Sequence, residues 1–203
     1  MKVSTLTVKC MVFGVCVSPF MVMLWNAYNN TLGPNPVEAM THFSGLWTLR
    51  FLLITLTLTP IKMIYPKSGI IKYRRMLGLF TFFYATLHFL IFLAFEHGFS
   101  VRYILEDILT SPIVDVGLLA YILLIPLALT STNEMMRKLG KAWKKMHISV
   151  YVIGMLSILH FALSEKADIT NPLFYASILL ILLTIRGVVR NRTQKGPKKI
   201  NDT

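Results

Sequence analysis

Acid is scarce in this sequence, and cysteine scarcer still. Nine Asp and Glu residues stand against 21 Lys and Arg, which gives a formal net charge of +12. An excess of that kind suits nucleic acid when the basic side chains share one accessible face. Here they fall in short clusters between long apolar runs, so a nucleic-acid-binding module is excluded. The two cysteines, Cys10 and Cys16, would point about 120° apart on a helix, which favours small apolar packing over a disulfide or a metal pair. No C-x-x-C-H is present, excluding covalent c-type haem attachment, and no G-x-G-x-x-G follows a strand to mark a dinucleotide-binding fold. Internal repeats and low-complexity segments are also missing.

What the chain has instead is length in its apolar runs. Hydrophobic residues make up 55% of its 203 positions, too many for a soluble domain with a polar exterior. Runs near 10-29, 44-64, 76-96, 113-131, 147-164 and 172-189 each approach the roughly 20 helical residues that cross a bilayer core. Lipid offers no partners for backbone polar groups, so runs of this length are helices. The expectation is an all-α membrane protein, a six-transmembrane-helix bundle. The first run is read as an uncleaved span, because no small-x-small site follows it at Trp25-Asn26-Ala27-Tyr28.

Charge sets the orientation. Lys2 and Lys9, then Lys62, Lys67, Lys72, Arg74 and Arg75, then Arg137, Lys138, Lys141, Lys144 and Lys145 all fall on one side. The tail over 190-203 and the residues before it add Arg186, Arg190, Arg192, Lys195, Lys198 and Lys199. The opposite connections hold only Arg102 and Lys166, beside Glu38, Glu106, Asp107, Glu165 and Asp168. By the positive-inside rule both termini are cytoplasmic. The basic clusters face anionic lipid headgroups. Pro19, Pro60 and Pro126 lie within spans, where neighbours can satisfy the carbonyls they free.

Ionisable residues inside spans are costly and so mark candidate sites. His88 lies in the third span, and His147 and His160 in the fifth. These two spans run in the same direction, so distance from the last basic residue measures depth. Arg75 to His88 is about 20 Å of helix and Lys145 to His160 about 22 Å. The two imidazoles therefore sit at nearly one level in the outer half of the bilayer, where each can give an axial nitrogen to one porphyrin iron. His147 sits about 20 Å nearer the cytoplasm, but ideal helical steps turn it roughly 140° away from His160. Sharing a face would need a distorted helix, for example at Gly154, or a helix that begins after His147. Arg50, one to two turns into the second span, is a candidate partner for a haem propionate, or else snorkels to the headgroups. His42 and His97 stand near the outer interface, with His42 a further haem-related candidate.

Several longer stretches carry a resemblance. They are Gly33-x-Asn35-Pro36, His42-Phe43-Ser44-Gly45, Arg74-Arg75-Met76-Leu77-Gly78-Leu79, Ala85-Thr86-Leu87-His88 and Leu129-Thr130-Ser131-Thr132. A further one runs from Met136-Arg137-Lys138-Leu139-Gly140 through Trp143, His147 and Tyr151 to His160. Over nearly its whole length the sequence resembles the MsrQ (YedZ) family within the ferric-reductase-like transmembrane superfamily. The resemblance implies a single haem domain over 1-203 in the bacterial inner membrane. It implies b-type haem, one or two, at positions matching His88, His147 and His160, association with FMN, and electrons drawn from the quinone pool. It further implies a periplasmic MsrP-like molybdopterin reductase as partner, which reduces methionine sulfoxide in oxidised proteins while this chain conducts electrons. Arg74, Arg75, Arg137 and Lys138 are candidate contacts for a flavin phosphate or for lipid headgroups. The alternatives are a stand-alone transmembrane ferric or oxygen reductase, and a transporter or scaffold with structural histidines. Transport sites more often lie near the midplane on broken helices, which the matched depth of His88 and His160 does not suggest.

Overall fold

A computed structural model describes residues 5–165 and 168–194. Lys2, Lys166, Lys195, Lys198 and Lys199 of the charge pattern lie outside the described residues. Six helical segments are long and apolar enough to cross a membrane: Thr5–Tyr28, Pro36–Ile64, Ile70–Glu96, Pro112–Leu129, Lys141–Ser164 and Thr170–Val189. Among the described residues no strand is present. This is the expected six-span bundle, with spans that begin earlier than hydropathy alone places them.

The helices are α1 (Thr5–Tyr28), α2 (Pro36–Ile64), α3 (Arg74–Ile91), α4 (Val101–Thr110), α5 (Pro112–Leu129), α6 (Asn133–Leu139), α7 (Lys141–Met146), α8 (Val150–Ser164) and α9 (Thr170–Gln194). A 3-10 turn, Ile70–Tyr73, leads into α3, and a π turn, Phe92–Glu96, closes it. The early start of α2 has a local cause. The Asn35 side chain accepts from the Glu38 N–H at 3.3 Å and donates back to the Glu38 carboxylate at 2.9 Å, while Pro36 takes the first helical position. Proline there gives up an N–H that no helix would use, and the Asn cap satisfies one of the orphan donors. The turn that follows carries Glu38 and His42, polar enough to hide it from a hydropathy count.

Two antiparallel pairs make the bundle, α2 along α3 and α5 along α8, with α9 against α2 and α8. One apolar core joins Leu49, Leu52 and Leu56 of α2 to Leu124 and Leu127 of α5, Ile153 and Phe161 of α8, and Leu179 of α9. A second core seats α1 against α2 and α3 through Cys16, Phe51, Phe80 and Tyr84. Cys16 is buried, Cys10 exposed, and both are free thiols.

Tyr84 shows how α1 is fixed. Its hydroxyl, on a side chain with no exposed surface, donates to the Cys16 carbonyl at 2.9 Å and accepts from the Phe20 N–H at 3.0 Å. Those two groups stand four residues apart, as a helical ladder pair does, so the phenol bridges the helix beside Pro19. The carbonyl that Pro19 strands, on Val15, is taken by Ser18 Oγ at 2.9 Å. A proline tolerable only with compensation is thus compensated twice.

Candidate haem site

His88 comes from α3 and His160 from α8, two helices that do not form one of the principal packed pairs. Their ring centres lie 5.9 Å apart with planes crossed at 86°. Imidazole nitrogen binds a transition metal at about 2 Å and stands about 1 Å from its own ring centre, so two imidazoles on one ion have centres about 6 Å apart. The observed separation therefore has room for one metal ion and for nothing thicker.

Backbone carbonyls fix the orientation of both rings. His88 Nδ1–H donates to the Thr41 carbonyl at 2.9 Å, and His160 Nδ1–H donates to the Ile113 carbonyl at 2.9 Å. A carbonyl only accepts, so each Nδ1 carries the proton and each Nε2 keeps its lone pair for a metal. Thr41 is itself held, with its hydroxyl donating to Glu96 at 3.0 Å. Ser44 Oγ donates to the Met40 and Thr41 carbonyls at 2.8 and 3.0 Å.

Two glycines make this possible. A Cβ on Gly117 of α5 would stand 2.8 Å from Cε1 and Nδ1 of His160, and one on Gly45 of α2 would stand 3.2 Å from Cε1 of His88. Only a residue without a side chain lets each neighbouring helix come so near the imidazole. The Gly117 contact would be a clash, because its neighbour is a ring already tied by a hydrogen bond.

Around the two rings is a cavity of about 1080 Å³. Its walls are apolar, with Leu49, Leu52, Ala85, Phe89, Tyr121, Leu124 and Ile153. Polar groups gather at one end, with Glu38, His42, Glu96, Asp107 and Glu165. An apolar slot with a polar mouth and two opposed imidazoles fits haem, whose macrocycle is apolar and whose propionates are not. His42 is at that mouth, 3.2 Å from Glu165 Oε1 and half exposed. His97 lies 3.1 Å from Asp107 and packs against Phe92, outside the cavity wall. Arg50 is also outside it: its Nε donates to the Tyr175 hydroxyl at 3.0 Å and its guanidinium lies over Trp47 at 4.9 Å.

His147 occupies a second, smaller cavity of about 280 Å³ at the basic end, lined also by Arg74, Arg75, Asn133, Trp143 and Thr55. Its ring stacks on Trp143 with centres 3.8 Å apart, and its Nδ1–H donates to the Trp143 carbonyl at 3.1 Å. The Leu127 carbonyl is a second backbone acceptor near the same ring. The helix does start after this histidine: His147–Ser149 form a 3-10 turn and α8 begins at Val150. Gly154 is not a break, being buried in α8 where a Cβ would meet Leu179 at 3.4 Å. Arg75 donates to the Asn133 side chain at 2.9 Å, whereas Arg137 and Lys138 are exposed on α6 and line neither cavity. Leu52, Thr81 and Leu124 line both cavities and form the partition between them.

Comparison with known proteins bears on this geometry. Residues 44–158 match the family described as the ferric reductase like transmembrane component. The chain is 41% identical over 191 residues to the protein-methionine-sulfoxide reductase heme-binding subunit MsrQ of Xanthomonas oryzae pv. oryzae, covering 91% of this chain and 87% of that one. It is 43% identical over 182 residues to the MsrQ of Herminiimonas arsenicoxydans, covering 88% and 84%. With the MsrQ of Bordetella pertussis the identity is 42% over 178 residues, covering 87% and 86%. No solved structure matches significantly. With six spans, a ferric-reductase-like core and this identity along nearly its full length, the chain belongs to the MsrQ family of membrane haem-binding subunits.

Proposed function

We propose that this chain holds haem b between His88 and His160 and carries electrons across the inner membrane to a periplasmic MsrP-like molybdopterin reductase that repairs oxidised methionine. The observation that carries the reading is the pair of crossed imidazoles 5.9 Å apart, each with its Nδ1 proton on a backbone carbonyl. Haem iron supplies one-electron chemistry when bound, alternating between ferric and ferrous states. The protein's work is to hold the ligands, exclude water from the macrocycle and set the local field. Thr41 and Ile113 orient the two rings and raise their basicity as ligands. Leu49, Leu52, Phe89 and Leu124 keep the slot apolar. Glu38, His42 and Glu165 give the mouth its polarity, and the acidic end is the periplasmic one, with both termini cytoplasmic, by the charge rule.

The cavity at the basic end is proposed as the entry point for electrons from quinol or from FMN. Its volume of about 280 Å³ is close to the lower limit of ordinary small-molecule pockets, about 300 Å³, and so favours a flavin ring or a quinone head over a second haem. Arg74 and Arg75 are the candidate phosphate contacts there, and the partition at Leu52, Thr81 and Leu124 separates it from the haem slot by one layer of side chains. Arg50, tied to Tyr175, serves the proposal as a cation held near the haem slot rather than in its wall.

The match to a ferric-reductase-like family favours a second reading, reduction of ferric iron or oxygen by this chain alone. Reconstitution in vesicles with quinol separates the two. The proposed function expects quinol oxidation to depend on added molybdopterin partner and methionine sulfoxide. Steady quinol oxidation with ferric iron or oxygen as the sole acceptor would establish the second reading instead.

A further inference from the structure

Tyr151 and Arg186 line neither cavity, and with Arg74, which lines the smaller one and whose reading as a phosphate contact they extend, they form a cluster at the basic end. Arg186 of α9 lies over the Tyr151 ring of α8, with its guanidinium carbon 4.9 Å from the ring centre. Arg74, the first residue of α3, is in electrostatic reach of both. One guanidinium thus sits on the phenol ring and a second lies within electrostatic range of it, both of them only partly exposed. Among the described residues neither has a carboxylate within ion-pair distance. The Tyr151 hydroxyl beside them is buried and, among the described residues, has no hydrogen-bond partner.

This is an expensive arrangement as it stands. Like charges repel, a partly buried guanidinium wants an anion, and a buried hydroxyl without a partner costs about 1–3 kcal/mol. The chain offers little remedy, for Glu134 is the sole acid in the connections of that end among the described residues, and it is exposed in the first turn of α6. The aromatic face under Arg186 offsets part of the cost but offers no acceptor to the N–H donors in the guanidinium plane. An anion with several acceptor oxygens would satisfy both forks and the phenol together.

We propose that Arg74, Tyr151 and Arg186 form a binding site for a phosphate group, with Arg74 and Arg186 giving charge-assisted hydrogen bonds and Tyr151 donating from below. The site is distinct from the haem slot and does not depend on the assignment of His88 and His160. The phosphate can belong to an anionic phospholipid headgroup or to a phosphorylated cofactor, and these sources are experimentally separable. The haem-loaded full chain in neutral detergent is titrated with phosphatidylglycerol, phosphatidylcholine, FMN, riboflavin and inorganic phosphate, with binding read by native mass spectrometry and flavin fluorescence. Arg186→Gln and Tyr151→Phe are compared with Arg137→Gln, an exposed arginine on α6.

Preference for phosphatidylglycerol over phosphatidylcholine, weakened about tenfold in Arg186→Gln and less in Tyr151→Phe, would place a lipid headgroup in the site. Preference for FMN over riboflavin, lost in the same two variants, would place a cofactor phosphate there. Arg137→Gln is expected to behave as wild type in either case. If Arg186→Gln fails to fold, Arg186→Lys and Tyr151→Phe carry the comparison. Binding of every phosphate-bearing probe at wild-type strength in the Arg186 and Tyr151 variants would overturn the proposal.

Discussion

The two histidine cavities differ in what the backbone does to the imidazole. In the larger one each ring has a carbonyl on Nδ1, which leaves Nε2 with its lone pair, and the two rings stand 5.9 Å apart with planes crossed at 86°. In the smaller one His147 is stacked on Trp143, has carbonyls of Trp143 and Leu127 near it, and faces no second histidine. The first arrangement has the spacing that two imidazoles on one metal would need. The second positions a ring in the wall of a cleft beside two arginines. On the proposed assignment, depth alone does not make a transmembrane histidine a haem ligand; its neighbours must leave a nitrogen available.

The sharpest way to break this comparison is to remove its ligands in turn. His88→Ala and His160→Ala are each expected to lose most of the bound haem, measured as pyridine haemochrome per polypeptide, because one axial bond and one wall of the slot disappear together. His147→Ala is expected to keep the haem content of wild type while slowing reduction by quinol in stopped-flow measurements. Equal haem loss in all three variants would erase the distinction between the cavities.

A smaller effect is expected from Gly117→Ala. The new methyl would fall 2.8 Å from His160, so the ring must leave its bond to Ile113. Loss of such a supporting contact weakens metal binding by about 10–100-fold, which competition with apomyoglobin for haem would register. Gly45→Ala, with 3.2 Å to His88, is expected to follow the same direction with a smaller loss. An unchanged affinity in Gly117→Ala would mean that His160 is free to move and is not held as a ligand.

The least effect on haem, and the control for both cavities, is Tyr84→Phe. It leaves the Phe20 N–H and the Cys16 carbonyl without the bridging hydroxyl, at a cost of about 1–3 kcal/mol. Thermal unfolding should shift downward while the Soret band of the folded protein stays as in wild type. A change in haem content would show that α1 supports the slot through the α3 packing surface.

Much of this architecture is legible in the chain before any coordinates. Run length and charge clustering mark the six spans, and counting residues from Arg75 and Lys145 puts His88 and His160 at one depth. The limits are physical. Hydropathy cannot see the start of α2, because the Asn35 cap and Pro36 make a helix out of a polar turn. Ideal rotation does not apply to His147, since the 3-10 turn over His147–Ser149 breaks the periodicity the calculation assumes. Gly45 belongs to a recognisable motif and Gly117 to none, and the closeness of each to an imidazole depends on how two remote helices pack. The Thr41 and Ile113 carbonyls carry no side-chain signature at all.

The most direct test of the central claim is the electron paramagnetic resonance spectrum of the oxidised, haem-loaded chain beside that of His160→Gly supplied with free imidazole. Two strong-field imidazoles on one iron give a low-spin ferric signal, expected in the wild type, lost in His160→Gly and restored when imidazole fills the space. A high-spin wild-type signal, or a low-spin signal in His160→Gly without added imidazole, would contradict the assignment of His88 and His160 as the axial pair.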